Sequence, residues 1–213
     1  MGIHRTALLA GAVIALASSL PVSADITDRL VLILDGSGSM WGQVDGEAKI
    51  SIARRVLSDL ITRLPSESEV GLVAYGHRRQ GDCRDVETLV PIVPLDRQRL
   101  SKAIGEINAK GKTPLTAALR EAIAAMRAKP EPATFILVSD GLESCGGDPC
   151  AAVRGARNAG IEFRLHVVGF DLGEGDVSQL QCTAEAGGGH FFPAQNARQL
   201  DTALRKVVED PGQ

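Results

Sequence analysis

An α/β fold with a mostly parallel sheet is what the sequence predicts, on three observations. From Asp28 onward, strand-like and helix-like segments alternate along the chain, the pattern of strands joined by crossover helices. The run Leu30-Val31-Leu32-Ile33-Leu34 is apolar at every position rather than every second one, so both of its faces are buried, as in a parallel sheet. No internal repeat or low-complexity stretch interrupts the alternation, and about 189 residues follow the leader described next, the size of one domain with a sizeable core.

Residues 1–24 have the composition of a signal peptide. His4 and Arg5 form a short basic start, Ala7 to Leu20 is apolar or small, and Val22-Ser23-Ala24 supplies small residues for cleavage after Ala24. The apolar stretch is shorter than the ~20 residues that span a bilayer, and no later segment is apolar enough to do so. Residues 25–213 are therefore expected as one exported domain, periplasmic or secreted, with no membrane span.

Each element has a local reason. Leu30 to Leu34 is the first strand. Ala48 to Leu64 places Ile50, Ala53, Val56, Leu57, Leu60, Ile61 and Leu64 at helical spacing, with Arg54, Arg55 and Asp59 outside, and Pro65 ends that helix. Val70 to Tyr75 is a second strand and Thr88 to Val93 a third. The polar link Gly76 to Asp85 is too short for a crossover helix, so the third strand is expected to run antiparallel at an edge. Asp96 caps a helix reaching about Asn108, and Leu115 to Ala128 is an alanine-rich helix. Thr134 to Ser139 is the fourth strand, Cys150 to Ala159 a helix closed by Gly160, and Phe163 to Phe170 the fifth strand. Asp176 caps a helix to Ala186, Gly187-Gly188-Gly189 breaks the chain, His190 to Pro193 is a short last strand, and Ala197 to Val208 is the terminal helix.

Chemistry concentrates where the first strand ends. Asp35-Gly36-Ser37-Gly38-Ser39 offers one carboxylate and two hydroxyls at alternating positions, and the glycines let the backbone turn there. Such an oxygen set suits a hard cation, magnesium or calcium, better than zinc. By topology, Thr113 in the loop Gly111-Lys112-Thr113-Pro114 and Asp140 at the end of the fourth strand reach the same rim. Two carboxylates and three hydroxyls leave part of a six-oxygen shell for water or a guest. A dinucleotide loop fits poorly, since the glycine spacing is wrong and Asp35 would face a pyrophosphate. An EF-hand fails because Met40 stands where glycine is needed and Gly46 where the bidentate glutamate should be.

The order Asp35-x-Ser37-x-Ser39, then Thr113 in a Gly-Lys-Thr-Pro-Leu loop, then Asp140-Gly141, resembles the von Willebrand factor A domain with its metal-ion-dependent adhesion site. The resemblance covers essentially the whole mature chain. It implies a doubly wound fold with six strands in the order 3-2-1-4-5-6 and helices on both faces. It also implies magnesium, calcium or manganese at Asp35, Ser37, Ser39, Thr113 and Asp140, an Asp or Glu of a protein partner in the open position, and a terminal helix whose movement can couple to coordination. Trp41, His77, Arg78 and Glu143 are the candidate rim residues that would touch such a partner, each weighed against a packing or solvated role. Asp45, Glu47, Asp148 and Asp171 lie on the same rim, with surface acid as the ordinary reading. His166, inside an apolar strand, reads as a hydrogen-bonded core residue.

Four cysteines in an exported chain favour two disulfides over zinc. Topology puts Cys83 about four strand spacings from Cys182, too far for a bond. Cys150 and Cys182 lie on neighbouring helices of one sheet face, so the expected pairs are Cys150 with Cys182 and Cys83 with Cys145. Similar runs around these cysteines occur in a bacterial exported branch of the resembling family.

Composition narrows function further. The net charge is −3, or −4 without Arg5, and there are one Trp, one Tyr and five Phe, which gives nucleic acid neither an electrostatic footing nor stacking platforms. No Ser-His-Asp or Cys-His arrangement is apparent. The expected function is a non-enzymatic binding module that uses a divalent cation to hold an acidic group of a protein partner. The competing readings are a metal-dependent hydrolase of the phosphatase or esterase kind, with Glu143, Asp171 or His77 as base, and a purely structural cation site.

Overall fold

The computed structural model describes residues 29–209 apart from 129, 174 and 176. The leader 1–24 and the expected helix cap Asp176 lie outside these residues. Six strands form one sheet: β1 (Arg29–Asp35), β4 (Glu69–Tyr75), β5 (Val86–Pro94), β6 (Ala133–Ser139), β7 (Phe163–Phe170) and β8 (Gly188–Ala194). A separate two-stranded hairpin is made by β2 (Gln43–Val44) and β3 (Glu47–Ala48). The main sheet runs β5-β4-β1-β6-β7-β8, with only the β4–β5 pair antiparallel. Counting the sheet strands alone, this is the order 3-2-1-4-5-6 with the third strand reversed.

The apolar run of β1 serves two cores, which explains why it does not alternate. Leu30, Leu32 and Leu34 pack into a cluster with α1 (Lys49–Arg63), α2 (Arg97–Gly105) and α6 (Ala197–Glu209). Val31 and Ile33 pack into a second cluster with α3 (Leu115–Ala125), α4 (Pro149–Asn158) and α5 (Ser178–Ala186). The helices thus divide three and three across the sheet, and every residue of β1 is buried.

Local chemistry sets the boundaries. α1 stops at Arg63 because Leu64, held extended with ψ 145°, precedes Pro65, whose ring disfavours the helical region for the residue before it. The Asp96 side chain accepts from Arg99 N at 2.9 Å and starts α2. Asp148 does the same for Ala151 N at 2.9 Å, with Pro149 in the first turn of α4. The last turn of the alanine-rich segment tightens into a short 3₁₀ stretch, Met126–Ala128.

One expectation changes at β8. Gly187-Gly188-Gly189 reads in the sequence as a break, yet Gly188 and Gly189 belong to the strand. A Cβ on Gly189 would stand 2.1 Å from Leu165 O, so glycine permits β8 to approach β7 at the register shift there. The β2–β3 hairpin was also not foreseen. Asp45, at its turn, adopts φ 51°, in the left-handed region that Asp tolerates better than most residues.

Candidate functional site

The carboxyl end of β1 delivers Asp35 into the centre of the upper rim. Its carboxylate is fully buried and each oxygen accepts one short hydrogen bond, Oδ1 from Ser37 N at 2.7 Å and Oδ2 from Ser139 Oγ at 2.6 Å. Tyr75 at the end of β4 donates its hydroxyl to Ser139 Oγ at 3.0 Å, so the neighbouring strands on both sides hold this oxygen network in register. After Ser37 the chain makes a 3₁₀ turn, Gly38–Trp41, which lifts Ser39 to the surface while Ser37 stays buried.

The hydroxyls and the second carboxylate are contiguous. Ser37 Oγ and Ser39 Oγ are 3.0 Å apart, and Ser39 Oγ donates to Asp140 Oδ1 at 2.6 Å. Thr113 joins from the opposite side: a methyl group placed on Gly141 would stand 3.7 Å from Thr113 Oγ1 and 4.0 Å from Ser39 Oγ. Thr113 is held through its backbone, donating from N to Ser144 Oγ at 2.8 Å and accepting at O from Ser144 N at 3.0 Å. The structure therefore brings Asp35, Ser37, Ser39, Thr113 and Asp140 from three separated pieces of chain to one place.

Close backbone packing makes this convergence possible. Gly76, at φ 65°, would put a Cβ 2.3 Å from Lys112 O, so a larger residue there would push away the loop that carries Thr113. The same loop is pinned by Lys110 N and Gly111 N, which donate to Gly76 O at 3.2 and 2.7 Å, and by Gly38 N, which donates to Gly111 O at 3.0 Å.

Electrostatically the site is short of positive charge on one side. Burial, and then the Asp140 carboxylate nearby, push Asp35 up to about 6. Asp140 is compensated on its far side by Lys49, whose Nζ lies 3.2 Å from Asp140 Oδ2 and 2.9 Å from Asp171 Oδ2 and also donates to Asp171 O at 3.0 Å. Burial disfavours the Lys49 charge, but the hydrogen bond to Asp171 and the attraction of Asp140 outweigh it and hold its pKa above the ordinary value. Burial and the Asp35 charge likewise keep the Tyr75 phenol protonated well above its usual range.

Among the described residues no group of three or more His, Cys, Asp or Glu is arranged to hold a metal ion. The oxygen cluster is different in kind, two carboxylates with three hydroxyls, and its spacing fits a hard cation. Ligand oxygens at right angles and ~2.1 Å from such an ion stand about 3 Å apart, and the Ser37–Ser39 and Ser39–Asp140 separations are 3.0 and 2.6 Å. A cation bound there would supply the positive charge that the Asp35–Asp140 pair lacks.

The rim candidates separate into two kinds. Trp41 is 56% exposed and fixed by donation from Nε1 to Ala109 O at 2.7 Å, so its ring is held open beside Ser39. The other three are engaged. His77 is buried, with Nε2 3.3 Å from Glu87 Oε2, and burial, before any neighbouring charge, lowers its pKa. Arg78 binds Asp85 Oδ1 at 2.7 Å and Glu87 Oε2 at 3.0 Å. Glu143 accepts from Thr116 N and Cys145 N, both at 2.7 Å, tying the loop after β6 to the start of α3. Asp171 is occupied by Lys49, and Glu47 pairs with Arg55 at 2.8 Å. His166 is buried in β7, its Nδ1 accepting from His190 N at 3.2 Å. Two disulfides are present: Cys83–Cys145 joins the β4–β5 loop to the loop after Asp140, and Cys150–Cys182 joins α4 to α5.

Lys49, Tyr75 and Ser139 were not found from the sequence. The signal for Lys49 was present: with Ala53, Val56, Leu57 and Leu60 it falls on the buried stripe of α1, and a lysine on such a stripe needs a carboxylate partner. Ser139 and Tyr75 end apolar strands beside Asp140 and Gly76, where a polar residue closing a buried run marks the rim.

A family model of the von Willebrand factor type A domain matches residues 30–143. The chain belongs to this family. Among curated relatives of this von Willebrand factor type A domain, YwmD of Bacillus subtilis (strain 168), an uncharacterised protein, is 27% identical over 191 residues, covering 85% of each chain. Among solved structures it is similar to the pilus adhesin SpaC from Lactobacillus rhamnosus GG, with TM-score 0.69 and 16% identity over 85% of this chain and 30% of SpaC. It is also similar to proximal thread matrix protein 1 from the mussel byssus with a zinc-occupied adhesion-site motif, with TM-score 0.67 and 16% identity over 85% of this chain and 44% of that protein. The chain thus spans less than half of these two structural relatives, and the likeness to them is one of fold.

Proposed function

We propose that this domain is a non-enzymatic binding module that holds a divalent cation at Asp35, Ser37, Ser39, Thr113 and Asp140 and uses it to bind an acidic group of a protein partner. The observation that carries this reading is the buried Asp35–Asp140 pair, joined by hydroxyls that open to solvent at Ser39. The two carboxylates at most cancel the 2+ charge and the three hydroxyls are neutral, so the site carries no excess negative charge to repel an anion, and a carboxylate is a suitable guest for the ion's open position. The zinc-occupied motif of the mussel relative and the adhesin role in the name of SpaC support the same reading. Magnesium is the favoured ion, since hydroxyl and carboxylate oxygens are hard ligands, with calcium, manganese and zinc as alternatives to compare. The leader-like residues 1–24 and the two disulfides support export to an oxidising compartment, periplasmic or secreted.

The test is affinity capture from an envelope extract of the producing cell, with and without EDTA, using Asp140→Ala as control. The expected result is a protein partner retained only by the wild type and only with the cation. Partners kept equally under all conditions would count against the cation as the contact. Metal-dependent turnover of phosphatase or esterase substrates, lost in Asp35→Ala, would replace the proposal with the hydrolase reading.

A further inference from the structure

Only two large apolar side chains among the described residues are exposed, Trp41 at 56% and Leu142 at 38%, and both belong to the rim. Trp41 stands two residues after Ser39 and Leu142 two residues after Asp140, so they flank the oxygen cluster on two of the three segments that form it. A lone exposed apolar residue needs no explanation, but the placement of both at one site does. Trp41 is anchored by its hydrogen bond to Ala109 O, so a partner could pack on it with little ordering cost.

The charges around the cluster are asymmetric. On the rim most acids are already paired: Glu47 with Arg55, Asp171 with Lys49, Asp85 with Arg78, Asp82 with Arg79. Lys110 and Lys112 are exposed, and among the described residues neither has an ion-pair partner. They flank Gly111, which bridges to Ser37, so the two free ammonium groups belong to the loop that also carries Thr113. On the other side Asp45 is exposed and unpaired, near Asn196 and Arg198 at the start of α6. In a chain of net charge −3, the loop that holds Trp41 thus offers two unpaired ammonium groups next to the oxygen cluster.

From this we infer that the surface fits one kind of partner, a protein segment in which the cation-binding carboxylate is flanked by bulky apolar residues and followed by a second acidic residue. The first carboxylate takes the cation, the apolar neighbours rest on Trp41 and Leu142, and the second acid reaches Lys110 and Lys112. The inference rests on the cation reading above. It adds Leu142, Lys110 and Lys112 as specificity-determining residues and leaves His77, Arg78 and Glu143 as structural.

The test uses the disulfide-intact protein with saturating magnesium, after calorimetry has established that magnesium binds. The probes are acetyl-Leu-Glu-Leu-Gly-Glu-Gly-amide, the same peptide with both leucines replaced by serine, and the same peptide with its second glutamate replaced by glutamine. Trp41 is the single tryptophan of the chain, so its emission reports binding at the rim. The leucine peptide should bind about tenfold more tightly than the serine peptide, as partial burial of two leucines supplies, and Leu142→Ser should shrink that ratio. The glutamine peptide should bind on the order of fivefold more weakly, as two exposed charge pairs supply. Lys110→Glu with Lys112→Glu should abolish the preference for the second glutamate. Magnesium binding with equal affinity for all three peptides, or for polygalacturonate as for the leucine peptide, would overturn the inference and leave the cation reading standing. No magnesium binding would remove both.

Discussion

Asp35 is the residue on which stability and function oppose each other. Its pKa, raised from 3.8 to about 6 by burial and by Asp140, means the folded protein binds its proton more tightly than the unfolded chain. The stabilisation is therefore full below pH 4 and is lost as pH rises through 6. In metal-free protein at pH 7, Asp35→Asn should raise stability by roughly 2–3 kcal/mol, the equivalent of about two pH units, because the amide can donate to Ser139 Oγ, which can turn its own hydrogen to Gly141 O at 3.0 Å. The same variant should gain nothing from magnesium. Denaturant unfolding with EDTA and with magnesium measures both; a destabilised metal-free variant would contradict the account. His166 acts in the other direction. Burial first, then His190 and Arg164, lower it to about 4, so its stabilisation is present above pH 6.5 and lost as pH falls towards 4. Between pH 4 and 6 the two effects nearly cancel in metal-free wild type, and Asp35→Asn should expose the His166 slope as a loss of stability on acidification.

Lys49 makes a second prediction at this scale. Lys49→Gln leaves Asp140 Oδ2 and Asp171 without a buried cation, which should cost roughly 2–4 kcal/mol in EDTA. Magnesium should recover more stability in this variant than in wild type, because a positive charge next to the site has gone. Equal magnesium stabilisation in both would show that Lys49 does not act on the site's charge.

At the scale of elements, the hairpin loop between β4 and β5 is fixed to the site by Cys83–Cys145, which joins residues 62 apart in sequence. Cys83→Ala with Cys145→Ala should cost about 4 kcal/mol by loop-closure entropy, read from guanidinium unfolding. A loss below 1 kcal/mol would mean that the hydrogen bonds of Gly76 and Asp85 hold this loop without the bond. The elements also show what was legible beforehand. Strand and helix placement followed from runs such as Leu30–Leu34, where burial on both faces leaves no polar position to misread, whereas the strand order followed from the family resemblance. The disulfide pairs followed from the same topology. The β2–β3 hairpin did not, because strands of two residues carry no periodicity. Gly188 and Gly189 were misread as a break because a sequence does not show that Leu165 O lies where a Cβ of Gly189 would be, or that Gly188 takes φ 69° within the strand. At the site, the oxygen residues were legible by type and spacing. That His77, Arg78 and Glu143 are occupied was not, since Glu87, Asp85 and the amides of Thr116 and Cys145 reach them only through the fold.

For the whole molecule, three segments well separated in the sequence meet around Asp35, so a ligand there links the end of β1, the loop before α3 and the loop after β6. A cation that binds only the folded chain at about 100 times its Kd adds about 2.7 kcal/mol, which for a domain of this size raises the melting temperature by roughly 5–10 °C. The central claim, that these five oxygen-bearing residues hold a cation, is tested most directly by calorimetric titration of magnesium into the EDTA-stripped, disulfide-intact protein at pH 7.5. The account predicts one ion per chain for the wild type, and none for Asp140→Ala and Thr113→Ala under conditions where both remain folded by circular dichroism. Absence of binding to the wild type, or unchanged binding to the two variants, would contradict it.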